Sequence, residues 1–279
     1  MSGIVFAAIA PHGTMAIPEA VSPERALVAR ATQEAMLDLG RRFDAARPDS
    51  VVVFTPHNVH VEGMMAVVEA GSLAGDLSMW GAPHVALESP VDRELAGAVK
   101  SAIRSAGIPV AGISFGANDP DRARHPMDWA ALVPLWFFGG RSDPQVPAVV
   151  VSPARDLGPD EHVRAGAAVA DAAAASGRRV AVIASADHGH GHLADGPYGF
   201  RPESQVFDDR VVDAVRTRNL HALRDLDREL VRSAAADSWW QMLMLLGAVG
   251  DRWQPELLSY EHPTYFGMLC AAFSPLPAQ

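Results

Sequence analysis

Short, continuous apolar runs alternate along this chain with longer stretches in which apolar residues recur at helical spacing. "IVFAAIA" near the start, Val51–Phe54, Met64–Val68, "IPVAGISF", Ala148–Val151 and Arg179–Ala184 have the length and β-branched character of buried strands. Ser22-Pro23 gives a cap followed by a proline at the first helical position, which predicts a helix towards Phe43. Ser89-Pro90 repeats the signal ahead of a helix to about Ala106, after a Gly-rich turn that follows Val68. The alanine-rich "HVRAGAAVADAAAASG" predicts a helix ending at Gly177, the chain from Asp208 to Val249 reads as mostly helical, and "LLSYEHPTYFGMLCAAF" closes it as a strand or strand pair. With no internal repeat or internal linker, the alternation predicts one α/β domain over residues 1–279, a central mostly parallel or mixed sheet flanked by helices.

Composition narrows the class. A chain of 279 residues, 49% hydrophobic and 20% charged, can bury a substantial core. Its net charge of −10 argues against a nucleic-acid partner, which requires clustered Lys and Arg, and against adhesion to an anionic membrane. The single cysteine, Cys270, excludes an intrachain disulfide and a cysteine-cluster zinc site, and its apolar surroundings predict a buried, inert thiol. "MSGIVFAAIAPHG" lacks a basic leader and stops at Pro11, so it reads as a first strand rather than a signal peptide; no apolar run reaches the roughly 20 residues of a membrane span. A cytoplasmic location is expected.

Three of the eleven histidines lie just past strand-like runs: His12 in Pro11-His12-Gly13, His57 in Thr55-Pro56-His57-Asn58, and His190 in "VAVIASADHGH". Ligand sites of α/β sheets gather at strand carboxyl ends, so this recurrence predicts three imidazoles at one rim. Two neutral imidazoles suit Fe(II), Zn(II) or Mn(II), and one added carboxylate makes a facial triad. His60 is near enough to stand in for His57. The tract Asp187-His188-Gly189-His190-Gly191-His192 reads either as a polar loop with one general acid–base histidine or as a metal-binding tract loosened by its glycines. Trp239, Trp240 and the methionines of "WWQMLMLL" read as core, since they sit in an apolar helical run.

Taken in order, "PHG", "TPHN", "VAVIASADHGHGH", "GPYGFRPESQVFDDRVVD", "WWQMLMLLGAVGD" and "SYEHPTYFGML" make the chain resemble the class III extradiol ring-cleavage dioxygenases. This is the superfamily of the protocatechuate 4,5-dioxygenase catalytic subunit and of the MEMO-like proteins, and the likeness covers nearly the whole chain. The resemblance implies an Fe(II) cofactor held by His12, His57 and a later carboxylate, with a small aromatic catechol or aminophenol and O2 as partners. The family's Ser-Gly-x-Leu-Ser-His pattern, laid on Ser185 to His190, selects His190 over His188 as the proton-handling histidine, with His188 kept beside it as a catalytic candidate. The carboxylate position falls on Asp237 or strictly on Ser238; Asp237 would equally cap the next helix, and Glu261 is the rival ligand.

A further departure is Asp128-Trp129-Ala130 ahead of Val133-Pro134-Leu135, where the family commonly has Asp-His-Gly; His125 either replaces that histidine or is a loop residue. Tyr198 and Tyr265 are expected on the cleft wall, and His125 and Glu261 are carried with them as substrate-binding candidates. The implied activity is extradiol cleavage. The missing histidine leaves a MEMO-like metal-binding or interaction protein as one alternative, and a zinc-dependent hydrolase is another. No basic clamp in the sequence demands a carboxylate on the ring. A homo-oligomer is expected as the quaternary form, since no small subunit is fused to the chain.

Overall fold

The computed structural model describes residues 3–22 and 27–277. Its framework is an eight-stranded mixed sheet ordered β10-β11-β1-β9-β2-β8-β3-β6. The strands are β1 (Gly3–Ala10), β2 (Ser50–Phe54), β3 (Met65–Val68), β6 (Val110–Ile113), β8 (Ala148–Ser152), β9 (Arg179–Ser185), β10 (Trp253–Glu261) and β11 (Met268–Pro275). The centre is parallel: β9 lies between β1 and β2, and β2 also pairs with β8. Antiparallel pairs flank it, β11 against β1 and β10 on one side and β3 against β8 on the other.

The continuous apolar runs are explained by burial on both faces. Alternate side chains of a strand point to opposite sides, so Val52 and Phe54 enter one core while Val51 and Val53 enter the other. The first core is covered by α2 (Arg93–Ser105), α4 (Pro159–Ala175), α5 (Pro202–Arg216), α6 (Arg228–Ser233) and α7 (Trp239–Val249). The second is covered by α1 (Arg30–Ala46) and α3 (Trp129–Phe137). Trp239 and the α7 methionines are buried as expected, and Trp239 Nε1 donates to the Leu223 carbonyl at 2.6 Å. Cys270 is buried too, and burial pushes its thiol up to about 12.

Helices α4 and α7 touch through glycine. A Cβ on Gly166 would lie 1.8 Å from the Met244 carbonyl oxygen, and one on Gly247 would lie 1.9 Å from that of Val163. The two backbones therefore meet directly, and α7 is seated at a depth that no larger residue permits.

Three elements differ from expectation. The Gly-rich turn after Val68 is a strand, β4 (Ser72–Leu77), which joins β5 (Ala82–Pro90) and β7 (Arg124–Pro126) in a second sheet ordered β5-β4-β7. Ser89-Pro90 ends β5 instead of capping a helix; the cap of α2 is Asp92, whose carboxylate accepts from the Leu95 amide at 3.1 Å. Helix α1 begins at Arg30; Pro23 of the expected cap lies outside the described residues. The open end of α1 is instead met from β10, where Glu261 Oε1 accepts from the Thr32 amide at 2.7 Å.

Candidate metal centre

Three neighbouring parallel strands, β1, β9 and β2, end at one rim. After β1, Pro11 breaks the ladder and His12 turns inward to a fully buried position. Its amide donates to Asp187 Oδ1 at 3.0 Å, and its Nδ1 pairs with Ser185 Oγ at 3.0 Å. The ring is thereby held with Nε2 facing two carboxylates, Asp187 Oδ2 at 3.5 Å and Asp237 Oδ2 at 3.6 Å.

After β2, Thr55-Pro56 makes the corresponding turn and His57 Nε2 comes within 2.9 Å of Asp237 Oδ2. The His57 ring stacks on Trp129, with centroids 4.4 Å apart and planes 26° apart. Trp129 opens α3, whose cap Asp128 receives Thr55 Oγ at 3.0 Å and Asn58 Nδ2 at 2.9 Å. The loop that carries His57 is thus fastened to the helix against which its ring packs.

Asp237 immediately precedes the cap position of α7. It does not cap that helix: no side chain does so, and Ser238 Oγ instead pairs with His188 Nδ1 at 2.9 Å. Asp237 Oδ1 is buried without a partner. The donor atoms of His12, His57 and Asp237 lie within 4.8 Å of one another. Donors bound at about 2.1 Å to one ion sit about 3 Å apart when adjacent and about 4 Å apart when opposite. The set therefore fits a divalent ion with small side-chain movements, and the orphaned Asp237 oxygen remains as a further donor.

The electrostatics match this geometry. Burial by itself would lower the His12 pKa, but Asp187 and Asp237 outweigh it and raise it to about 9. Burial alone would likewise raise the Asp237 carboxyl, yet His12 and His57 hold it well below the usual carboxylate range. The cluster thus presents a carboxylate charge to two imidazoles, a charge that a divalent cation would complement.

The histidine tract after β9 is pinned rather than loose. Gly189 N–H donates to Asp208 Oδ1 at 2.7 Å, and Asp208 Oδ2 accepts from Tyr260 OH at 2.7 Å and His192 Nε2 at 2.9 Å. The alternation sends His188 inward, where burial lowers its pKa, while His190 faces the cleft. His190 Nε2 lies 3.9 Å from Asp237 Oδ2, and its ring stacks on Phe266 beside Tyr198 and Tyr265. His192 stacks on His262, away from the cluster.

The structure thus brings His12, His57, Asp237, His190, Tyr198 and Tyr265 to one cleft of about 520 Å3, which Trp80, Trp129 and Phe266 also line. Burial raises the Tyr265 phenol pKa, which keeps it a neutral wall residue. His125, His188 and Glu261 are not on that wall. His125 Nε2 meets Asn58 Oδ1 at 2.9 Å from the second sheet, one residue behind the His57 turn, and burial lowers its pKa. His188 is buried with Nδ1 on Ser238 and Nε2 without a partner, and Glu261 meets the end of α1. His60 turns back onto the Pro56 carbonyl at 2.9 Å. The sequence reading did not single out Asp187, although it lies in the quoted histidine tract, nor the stacking of Trp129 on His57.

The α/β sheet thus presents two histidines and a carboxylate, a possible metal site, beside an aromatic cleft. Residues 6–271 match the family model described as the catalytic LigB subunit of aromatic ring-opening dioxygenase. The chain belongs to that family. It is 23% identical over 256 residues to Protein CA_C1420 of Clostridium acetobutylicum, a match covering 90% of this chain. The chain spans about half, 53%, of the length of that curated relative. The fold is similar to that of the crystal structure of uncharacterized protein JW3007 from Escherichia coli K12, with a TM-score of 0.63, 17% identity, and coverage of 96% of this chain and 99% of that one. No helix of the described residues is long and apolar enough to cross a membrane.

Proposed function

We propose that this chain is a non-haem Fe(II)-dependent extradiol dioxygenase acting on a catechol-like or aminophenol-like ring. The observation that carries this reading is the convergence of His12, His57 and Asp237 donors within 4.8 Å at the edge of an aromatic cleft, in a chain of the ring-opening dioxygenase family. Bound Fe(II) would supply adjacent open positions for the substrate oxygens and O2 and a route for electron density between them. Both oxygen atoms end in the product as the ring C–C bond beside the oxygen pair breaks, so no external reductant is consumed.

The chain's own residues do the rest. Asp237 supplies the anionic ligand and His12 and His57 the neutral ones, leaving one face of the group towards the cleft. Tyr198, Tyr265, Phe266 and Trp129 form aromatic walls suited to a flat ring and exclude water from it. His190 takes a substrate hydroxyl proton at Nε2, the nitrogen on the Asp237 side, and returns it as the ring opens. Its stacking on Phe266 fixes the ring for this transfer.

The test is anaerobic reconstitution with Fe(II), then admission of oxygen with a panel of catechols and aminophenols. A new ring-fission absorbance band that is lost in His12→Ala and His190→Ala supports the reading. Failure to take up iron overturns it, and air-stable zinc with hydrolytic turnover would replace it with metal-assisted hydrolysis.

A further inference from the structure

The three donors of the centre are not held alike. His12 is buried and fixed by Ser185 Oγ on its Nδ1. His57 is the most exposed of the three, with 23% of its side chain open against 2% for His12 and 10% for Asp237. A ligating imidazole is ordinarily oriented by a hydrogen bond at its second ring nitrogen. Among the described residues, no side chain or carbonyl pairs with His57 Nδ1; its Nε2 faces Asp237, and its amide meets Thr55 Oγ1 at 3.4 Å.

What holds this ring is a column of aromatic groups. His12 meets it edge-on, with centroids 5.0 Å apart, and Trp129 lies nearly flat against it at 4.4 Å. Trp80 packs on Trp129 in turn, with centroids 4.9 Å apart and planes at 61°. The two tryptophans share a foundation in the second sheet. Trp80 ends the tight turn Ser78–Trp80 between β4 and β5, and Gly81 closes that turn at a φ of 77°. The Met127 amide, two residues before Trp129, donates to the Ala74 carbonyl of β4 at 2.8 Å. A Cβ on Gly75 would lie 2.2 Å from the Met127 carbonyl oxygen, so β4 and the approach to α3 meet backbone to backbone. Residue 129 is also where the chain departs from the Asp-His-Gly pattern, an indole standing in place of an imidazole.

We propose that Trp129, braced by Trp80, is a positioning residue of the metal centre, its aromatic face taking over the orienting role of the missing hydrogen bond to His57. A metal on Nε2 draws electron density out of the imidazole. The face of an indole stabilises an electron-poor group more than a phenyl face does, and an aliphatic side chain does not do so at all. The stack therefore tightens when metal binds, and Trp129 contributes to affinity as well as to aim. This inference deepens the function proposed above and rests on its metal reading.

The experiment titrates Co(II) into the metal-free protein, following visible absorption, for the wild type, Trp129→Phe, Trp129→Leu and Trp80→Ala. Affinity should fall about tenfold or more in Trp129→Leu, as for loss of other groups that orient a ligating histidine. Trp129→Phe, which keeps a weaker ring, and Trp80→Ala, which removes the brace, should each lose less. Co(II) should also quench tryptophan emission in the wild type, and Trp129→Phe should remove a large share of that quenching. Melting of the metal-free variants separates loss of the column from loss of the fold.

Wild-type affinity in folded Trp129→Leu overturns the assignment, as does unchanged affinity in both Trp129→Phe and Trp80→Ala. Equal losses in the phenylalanine and leucine variants overturn it too, because volume rather than an aromatic face would then hold the ring. A wild type that takes up no Co(II) overturns it together with the metal reading. The graded loss in a protein that, loaded with iron, cleaves no catechol or aminophenol supports the column while counting against the dioxygenase reading alone.

Discussion

Gly247→Ala sets local propensity against packing, and the two predict opposite signs. In an exposed helix the change stabilises by about 1 kcal/mol, because alanine is the better helix former. Here the new Cβ would sit 1.9 Å from the Val163 carbonyl oxygen, where ordinary contact begins near 3.4 Å. The clash is with backbone, so no rotamer relieves it, and α4 and α7 must separate by more than about 1 Å. Overpacking of this kind costs about 1–3 kcal/mol, with the upper end expected for a backbone-to-backbone contact. At about 2 °C per kcal/mol for a chain of this size, the melting temperature should fall by about 6 °C.

The displacement should also reach the site, because Asp237 lies just before α7 and its Oδ2 sits 2.9 Å from His57 Nε2. A shift of about 1 Å there is expected to weaken metal binding by about tenfold. Circular-dichroism melts of the metal-free protein and a Co(II) titration read the two effects separately. A melting temperature that stays level or rises would refute the packing argument, and a large loss of stability with unchanged metal affinity would refute the link from α7 to the centre.

Other outcomes are equally specific. Asp237→Asn keeps the shape but removes the anionic donor, so divalent-metal affinity should drop by more than about 100-fold, beyond what loss of an outer hydrogen-bond partner costs; retention of near-normal affinity in calorimetry would exclude Asp237 as a ligand. The His12 pKa stands at about 9 in the fold against 6.5 outside it, so its contribution to the metal-free protein is complete below pH 6.5 and is lost as pH rises through 9. Metal must displace that proton, so affinity should climb over the same window while the metal-free melting temperature falls; flat profiles between pH 7 and 9.5 would contradict the arrangement. Glu261→Gln should cost about 1 kcal/mol at the α1 end and leave metal affinity unchanged, and a loss of metal binding in a stable variant would put Glu261 back at the centre.

The features legible in sequence are those that a single run of residues determines. Val51–Phe54 is apolar throughout because both its faces are buried, and the histidines after β1, β2 and β9 converge because parallel neighbours end on the same side. The second sheet was hidden. Only alternate residues of β5 are buried, and β4 carries glycine and aspartate among its apolar positions, so neither strand shows a continuous apolar run. Asp237 was favoured over its rival Glu261 only through the family resemblance, since in sequence both are carboxylates near helical or strand ends. What separates them is tertiary: one faces two imidazoles and the other the Thr32 amide in the first turn of α1.

The hydrogen bond from the His12 amide to Asp187 spans 175 residues, and the central pairing of β1 with β9 spans a comparable distance. Contacts of such separation form late, after much loop entropy has been overcome. During synthesis His12 and His57 leave the ribosome long before Asp187 and Asp237, and until then each is an unmatched imidazole on an incomplete sheet edge. The three donors of the proposed metal group are therefore complete only after residue 237 has been made, so a divalent ion held by all three can enter only the assembled fold.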